Sequence, residues 1–248
     1  MRILVTGGSG FLGGHLIEFL ASQPKVEVFS LGRQCPPSLS NHIEQHISLP
    51  PLTRRFSPEY GKTLLTSLFK GHEFDGIVHC AAHSSLSGCE EFPTEAHIAN
   101  VDYSRALIHY ALATGTYICS VSTDLVFDGN SPPTRDGFDE LDMPQPHSVY
   151  AKTKRKMEEE LLGQEELCGL VLRTSLLYGS PRGHSGGPLQ WILSSLLEKH
   201  AIPAFFDEWR TPLFVADFTE IIWRCLQHGH RGLLHCAGST RCSREDFV

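Results

Sequence analysis

Short, mainly apolar runs alternate along the chain with longer segments whose apolar residues recur every three or four positions. The runs are Ile3 to Val5, Val26 to Leu31, Asp75 to Ala82, Tyr117 to Ser122 and Leu170 to Thr174. Near-continuous apolar character over so few residues predicts strands buried on both faces of a parallel sheet. Between them, Leu12, Leu16, Ile17, Phe19 and Leu20 share one helical face, and Pro24 stops that helix. The same spacing predicts helices over 58–70, over 93–114 and from Tyr150 to Leu162. The proline-rich stretch 35–58 reads as loop around one short strand near Ile47, and a second loop holds Pro132, Pro133, Pro144 and Pro146.

Strands alternating with helices predict an α/β fold, a doubly wound parallel sheet of Rossmann-like type with right-handed crossovers. The alternation is clear through residue 177. From Tyr178 the pattern loosens over GSPRGHSGGP before a helix expected at 189–200. The expected division is a main domain over 1–177 and a smaller cap over 178–248.

The first strand breaks into glycines that fit both Gly7-x-x-Gly10-x-x-Gly13 and Gly8-x-Gly10-x-x-Gly13, and a helix-compatible segment resumes at Phe11. Glycines between a strand and a helix turn the chain tightly, and the unpaired N–H groups at the helix start then face an anion. In this context the triplet is the dinucleotide fingerprint, so 1–177 is read as an NAD(P)-binding domain. Roughly twenty residues further on, a carboxylate would bind the adenosine 2′-hydroxyl, whereas arginine takes a 2′-phosphate. The second strand ends at Arg33 with no carboxylate, which points to NADP (NADPH) over NAD.

Composition narrows the remaining choices. A formal net charge of -7 over 248 residues argues against a nucleic-acid partner. No apolar stretch approaches the roughly 18 residues of a membrane span, so no membrane partner and a cytoplasmic location are expected. The eight cysteines lack C-x-x-C pairs and read as reduced core thiols. His228, His230 and His235 cluster without a supporting cysteine pair, and no metal is assigned.

The residues just past the strand ends converge on the glycine turn. They include Ala81, Ala82 and His83, Ser122 to Asp124, and Arg173 to Ser175. Ala81 and Ala82 are read either as packing or as a close approach to a cofactor. Asn100, polar on the inner face of its helix, is either a structural bridge or part of a site. Tyr150 and Lys154 lie four apart and share a helix face, where an ammonium and an oxidised nicotinamide are expected to lower the phenol pKa. The charge run 152–160 around them otherwise reads as a solvated face.

Taken together, TGGSGFLG at 6–13, HCAA at 79–82, Asn100, VSTDLVFDG at 121–129, VYAKTK at 149–154 and LRTS at 172–175 resemble the extended short-chain dehydrogenase/reductases. Among these the chain is most similar to the dTDP-4-dehydrorhamnose reductase family. The resemblance implies an NADP-dependent oxidoreductase acting on a nucleotide-linked keto sugar, with Tyr150 as proton donor, Lys154 on the nicotinamide ribose and Thr123 orienting the carbonyl. It implies cofactor contacts at Gly7, Gly10, Phe11, Leu12, Gly13, Arg33, Ala81, Ala82, Asn100, Tyr150, Lys154 and Thr174. Substrate contacts are expected at His83, Asp124, Val126 and Arg210, and a homodimer is the expected assembly.

The chain also departs from that family. Leu176 stands where an aromatic residue is frequent, the aspartate after the third strand is replaced around Ser48 and Leu49, and 207–212 matches the substrate-side loop loosely. The ending at Ser243 to Phe247 resembles the start of a helix that family members extend, so the cap is expected to be incomplete. The same branch resembles the regulatory beta subunit of methionine adenosyltransferase, which makes a non-catalytic NADP-binding subunit the alternative reading. A nucleotide-sugar epimerase is the third.

Overall fold

The computed structural model describes residues 1–35, 37–129, 137–181 and 187–248. The expected loop prolines Pro36, Pro132 and Pro133 and residues 182–186 of the loosely patterned stretch after Tyr178 lie outside the described residues. Seven parallel strands form the central sheet: β1 (Arg2–Thr6), β2 (Glu27–Gly32), β3 (Gln45–Ser48), β4 (Gly76–His79), β5 (Tyr117–Thr123), β6 (Gly169–Thr174) and β10 (Gly232–Cys236). Their order is β10-β6-β5-β4-β1-β2-β3. The helices are α1 (Phe11–Ala21), α2 (Pro58–Leu68), α3 (Leu86–Glu91), α4 (Pro93–His97), α5 (Tyr103–Thr114), α6 (Val149–Leu162), α7 (Gly187–Leu197), α8 (Val215–His228) and α9 (Arg244–Phe247).

Strand side chains alternate between two apolar layers. Leu4, Phe29, Leu31, Ile77 and Val171 pack with Leu65, Leu107 and Leu161 of α2, α5 and α6. Ile3, Val5, Val28, Val78 and Leu172 pack on the other face with Leu16 and Ile17 of α1 and Phe218 and Ile222 of α8. A sheet covered on both faces has strands without a polar side, which is why periodicity shows them as plain apolar runs.

Two departures from the expected elements matter for the site. The helix over 93–114 is interrupted by a wider π-turn at Ile98–Asp102. The region after Tyr178 is not all cap: β10 pairs in parallel with β6, Cys236 opposite Thr174, and α8 lies against α1. Four two-residue strands complete that region, β7 (Leu177–Tyr178) with β9 (Leu213–Phe214) and β8 (Trp209–Arg210) with β11 (Cys242–Ser243). Among the described residues no helix is long and apolar enough to cross a membrane. Cys80, Cys89, Cys119, Cys168, Cys225, Cys236 and Cys242 are free thiols.

Candidate functional site

The strand order reverses between β1 and β4, and ligands of open parallel sheets bind outside the strand ends at such a point. Gly7 follows β1 there with φ +73°, and a Cβ would lie 2.7 Å from the Ala81 nitrogen. Both facts demand glycine. A Cβ on Gly13 would fall 2.2 Å from the Gly7 carbonyl oxygen, so the third glycine lets α1 settle against the turn. Gly10 caps α1 without a side-chain hydrogen bond, leaving the N–H groups at the helix start for an anionic ligand. Half-buried Phe11 and Leu12 follow them.

Beneath the turn runs a buried chain of hydrogen bonds whose polarity is fixed by its ends. Ser104 Oγ donates to the Asn100 carbonyl at 2.7 Å, so it accepts from His79 Nε2 at 2.8 Å. His79 Nδ1 then accepts from Thr6 Oγ1 at 2.7 Å, and Thr6 Oγ1 accepts the Ala81 N–H at 3.2 Å. His79 is therefore a neutral ring whose pKa is pushed down to about 3, first by burial and then by the charge of Lys154. Sequence patterning assigned this histidine no role, although it stood out as a polar residue inside an apolar strand run.

Asn100 sits on the π-turn and is 1% exposed. Its Oδ1 accepts from His83 N at 2.7 Å, and its Nδ2 donates to His83 O at 3.1 Å and to Thr153 Oγ1 at 2.9 Å. Thr153 in turn donates to Tyr150 O at 2.8 Å. Asn100 thus bridges the loop after β4 to the first turn of α6. That turn is also fixed by Ser148, whose side chain accepts from Ala151 N, and by Glu90, which accepts from Val149 N at 2.8 Å.

Lys154 is 3% exposed and makes no hydrogen bond or ion pair among the described residues. Burial lowers its pKa to about 8, opposed by Glu158 and Cys80. The Tyr150 phenol is held above its ordinary value by the protein groups around it. Burial of the phenol is the main cause, Cys89 and Asp124 push the same way, and Arg210 pulls down.

Thr123 ends β5 and is nearly buried; its Oγ1 accepts from Leu125 N at 3.2 Å and lies 3.4 Å from Asp124 Oδ1. Asp124 is gripped by both arms of Arg210, Nε to Oδ2 at 2.9 Å and Nη2 to Oδ1 at 2.6 Å. These two expected substrate residues meet each other across the site. Val126 is fully buried. His83 is half-buried with its backbone held by Asn100. Thr174 is also buried and turns its hydroxyl to Ser175 O at 3.2 Å. Ala82 is exposed at the end of β4, and Arg33 is exposed past β2 with no hydrogen bond or ion pair among the described residues.

The charge run on α6 is not a plain solvated face. Lys152, Lys156 and Glu159 are exposed, but Lys154 and Glu158 point inward, and Glu158 forms a buried bidentate pair with Arg173 of β6 at 2.9 and 2.7 Å. Helical spacing shows that Lys154 and Glu158 share a face; it does not show that the face is buried, because the partner arginine is on a strand. Among the described residues no cluster suited to a metal ion occurs.

The chain is 28% identical over 267 residues to methionine adenosyltransferase 2 subunit beta of Bos taurus, covering 100% of this chain and 70% of that protein. It is 28% identical over 251 residues to the probable low-salt glycan biosynthesis reductase Agl14 of Haloferax volcanii, covering 100% and 78%. The fold matches dTDP-4-dehydrorhamnose reductase from Bacillus anthracis, solved with NADP, at a TM-score of 0.75 and 22% identity, over 99% of this chain and 77% of that one. It also matches UDP-glucose 4-epimerase of Thermus thermophilus, solved with NAD, at 0.80 and 21% identity, over 99% and 80%. The RmlD substrate binding domain family matches residues 1–248, and the chain belongs to that family.

Proposed function

We propose that the protein is an NADPH-dependent reductase of a nucleotide-linked keto sugar. The observation that carries this reading is Lys154, a buried ammonium with no hydrogen bond among the described residues, on the same helix face as Tyr150. A desolvated cation without a partner is costly, and a ligand hydroxyl relieves that cost. The uncapped start of α1 and the bare backbone of Gly7 beside Ala81 suit a dinucleotide, held by Gly7, Gly10, Phe11, Leu12, Gly13, Ala81, Ala82 and Lys154, with Arg33 on a 2′-phosphate.

When bound, the reduced nicotinamide supplies the hydride. Thr123 Oγ1 donates a hydrogen bond to the carbonyl oxygen as it gains charge, and the Tyr150 phenol gives that oxygen its proton, so ketone, hydride and proton yield an alcohol. Burial favours the neutral phenol, the form that reduction requires. Lys154 binds ribose hydroxyls and stabilises the phenolate left behind. Asn100 sets the distance between the loop after β4 and α6. Asp124 and Arg210 face the substrate side.

Replacing Tyr150 by Phe tests the reading. With a nucleotide-linked 4-keto sugar, NADPH oxidation is expected to fall by about 10²–10⁴-fold while NADPH affinity stays within a few fold. Unchanged turnover sinks the mechanism. The 28% identity to a methionine adenosyltransferase subunit favours a second reading, a cofactor-binding partner protein in the cytoplasm. That reading gains if wild type binds NADPH, oxidises none with any keto sugar and copurifies in fixed ratio with an enzyme.

A further inference from the structure

Glu158 lies one helical turn beyond Lys154, and its carboxylate is fully buried. Four hydrogen bonds from three elements fix it: Ser122 Oγ of β5 at 2.5 Å, Arg173 Nε and Nη2 of β6 at 2.9 and 2.7 Å, and Arg155 Nη1 of α6 at 3.2 Å. Arg173 is itself held from behind, its guanidinium over the Phe127 ring at 5.2 Å and its Nη1 3.3 Å from His235 Nε2 of β10. Such a carboxylate cannot swing out to solvent or forward to a ligand. Spacing of four along α6 nevertheless places it on the Lys154 face.

We propose that Glu158 is a positioning residue: a fixed counter-charge, braced by Arg173 and Ser122, that holds the Lys154 side chain charged and aimed into the site without hydrogen-bonding to it. The groups acting on Lys154 support this assignment. Glu158 is the leading group favouring the ammonium, ahead of Cys80 at the end of β4, whereas burial opposes it. His79 on β4 is a neutral ring, and Arg173 and Arg155 are both bonded to Glu158, Arg155 pairing with exposed Glu159 as well. A carboxylate bonded to Lys154 directly would compete with a ribose hydroxyl for its protons; one held a turn away supplies the charge and leaves the donors free.

The consequence for turnover rests on the reductase reading, but the test does not. The side-chain ammonium of Lys154 is followed by NMR in the full chain with isotope-labelled lysine, its signal assigned by loss in Lys154→Met. In Glu158→Gln the titration midpoint is expected to move down by about one unit, a tenfold change in the amine-to-ammonium ratio at fixed pH. Because that variant leaves Arg173 unpaired, Glu158→Gln with Arg173→Met is measured beside it and is expected to show the same downward move, while Glu158→Asp returns the midpoint toward wild type. A midpoint unmoved in whichever of the two neutralised variants folds overturns the proposal, since Glu158 would then serve Arg173 alone. A shifted midpoint in a protein that reduces no keto sugar leaves Glu158 in its role and removes the reductase reading instead.

Discussion

Arg33 and Lys154 are both cations without a hydrogen bond or ion pair among the described residues, and their surroundings give them different work. Arg33 is exposed where β2 ends, so water already solvates it and its isolation costs little. It contributes only when a phosphate arrives, as a charge-assisted fork. We therefore predict that wild type binds NADPH more tightly than NADH in calorimetry and that Arg33→Ala narrows the gap by about tenfold, equivalent to about 1.4 kcal/mol. Equal affinities in wild type would remove Arg33 from the site. Lys154 is different, being desolvated whether or not anything binds. Arg33 was legible from the sequence because its place after the second strand is fixed by chain order. The upward direction of the Tyr150 shift was not, because it comes first from burial and then from Cys89 and Asp124 against Arg210, surroundings that only the fold supplies.

At the scale of elements, the π-turn at Ile98–Asp102 decides how the loop after β4 and α6 meet. Asn100 faces inward from this wider turn, where its amide closes on His83 and Thr153. Asn100→Ala removes the acceptor of the half-buried His83 N–H and the donor to the buried Thr153 Oγ1, which keeps its own bond to Tyr150 O, and urea unfolding is expected to show a loss of about 1–3 kcal/mol. Because the Thr153 bond is shared, Asn100→Ala and Thr153→Val together should cost less than the sum of the two alone. Strict additivity would mean that the bridge carries no load. Hydrophobic periodicity at 93–114 revealed the helix and the inward polar position but not the interruption, since one inserted residue barely disturbs the apolar spacing around Ala96 and Tyr103. The same limit applies after Tyr178, where β10 is an edge strand whose burial is only partial and whose pairing with β6 spans a long sequence gap. The glycine turn was readable to the residue because Gly7 and Gly13 answer to local geometry.

For the molecule as a whole, the neutral histidines at the sheet set its response to acid. His79 holds β1, β4 and the helix layer together through Thr6 and Ser104, and the direction of those bonds requires an unprotonated Nδ1. Its folded pKa of about 3 lies below the ordinary value of 6.5, so between these values the unfolded chain takes up a proton that the folded chain refuses. Stability from this group is therefore fully present above pH 6.5, falls by about 1.4 kcal/mol per unit toward the middle of that window, and levels off once pH drops below about 3. His235, lowered mainly by its burial, acts in the same direction. His79→Gln keeps a donor and an acceptor but cannot titrate. It is expected to be less stable than wild type at pH 7.5, because its amide cannot match the ring geometry, and to lose less stability on acidification, so that the two unfolding curves converge as pH falls toward about 4. Urea midpoints measured across that range check this. Parallel loss in both proteins would show that the acid response belongs to other groups and that the Thr6–His79–Ser104 chain tolerates a proton after all.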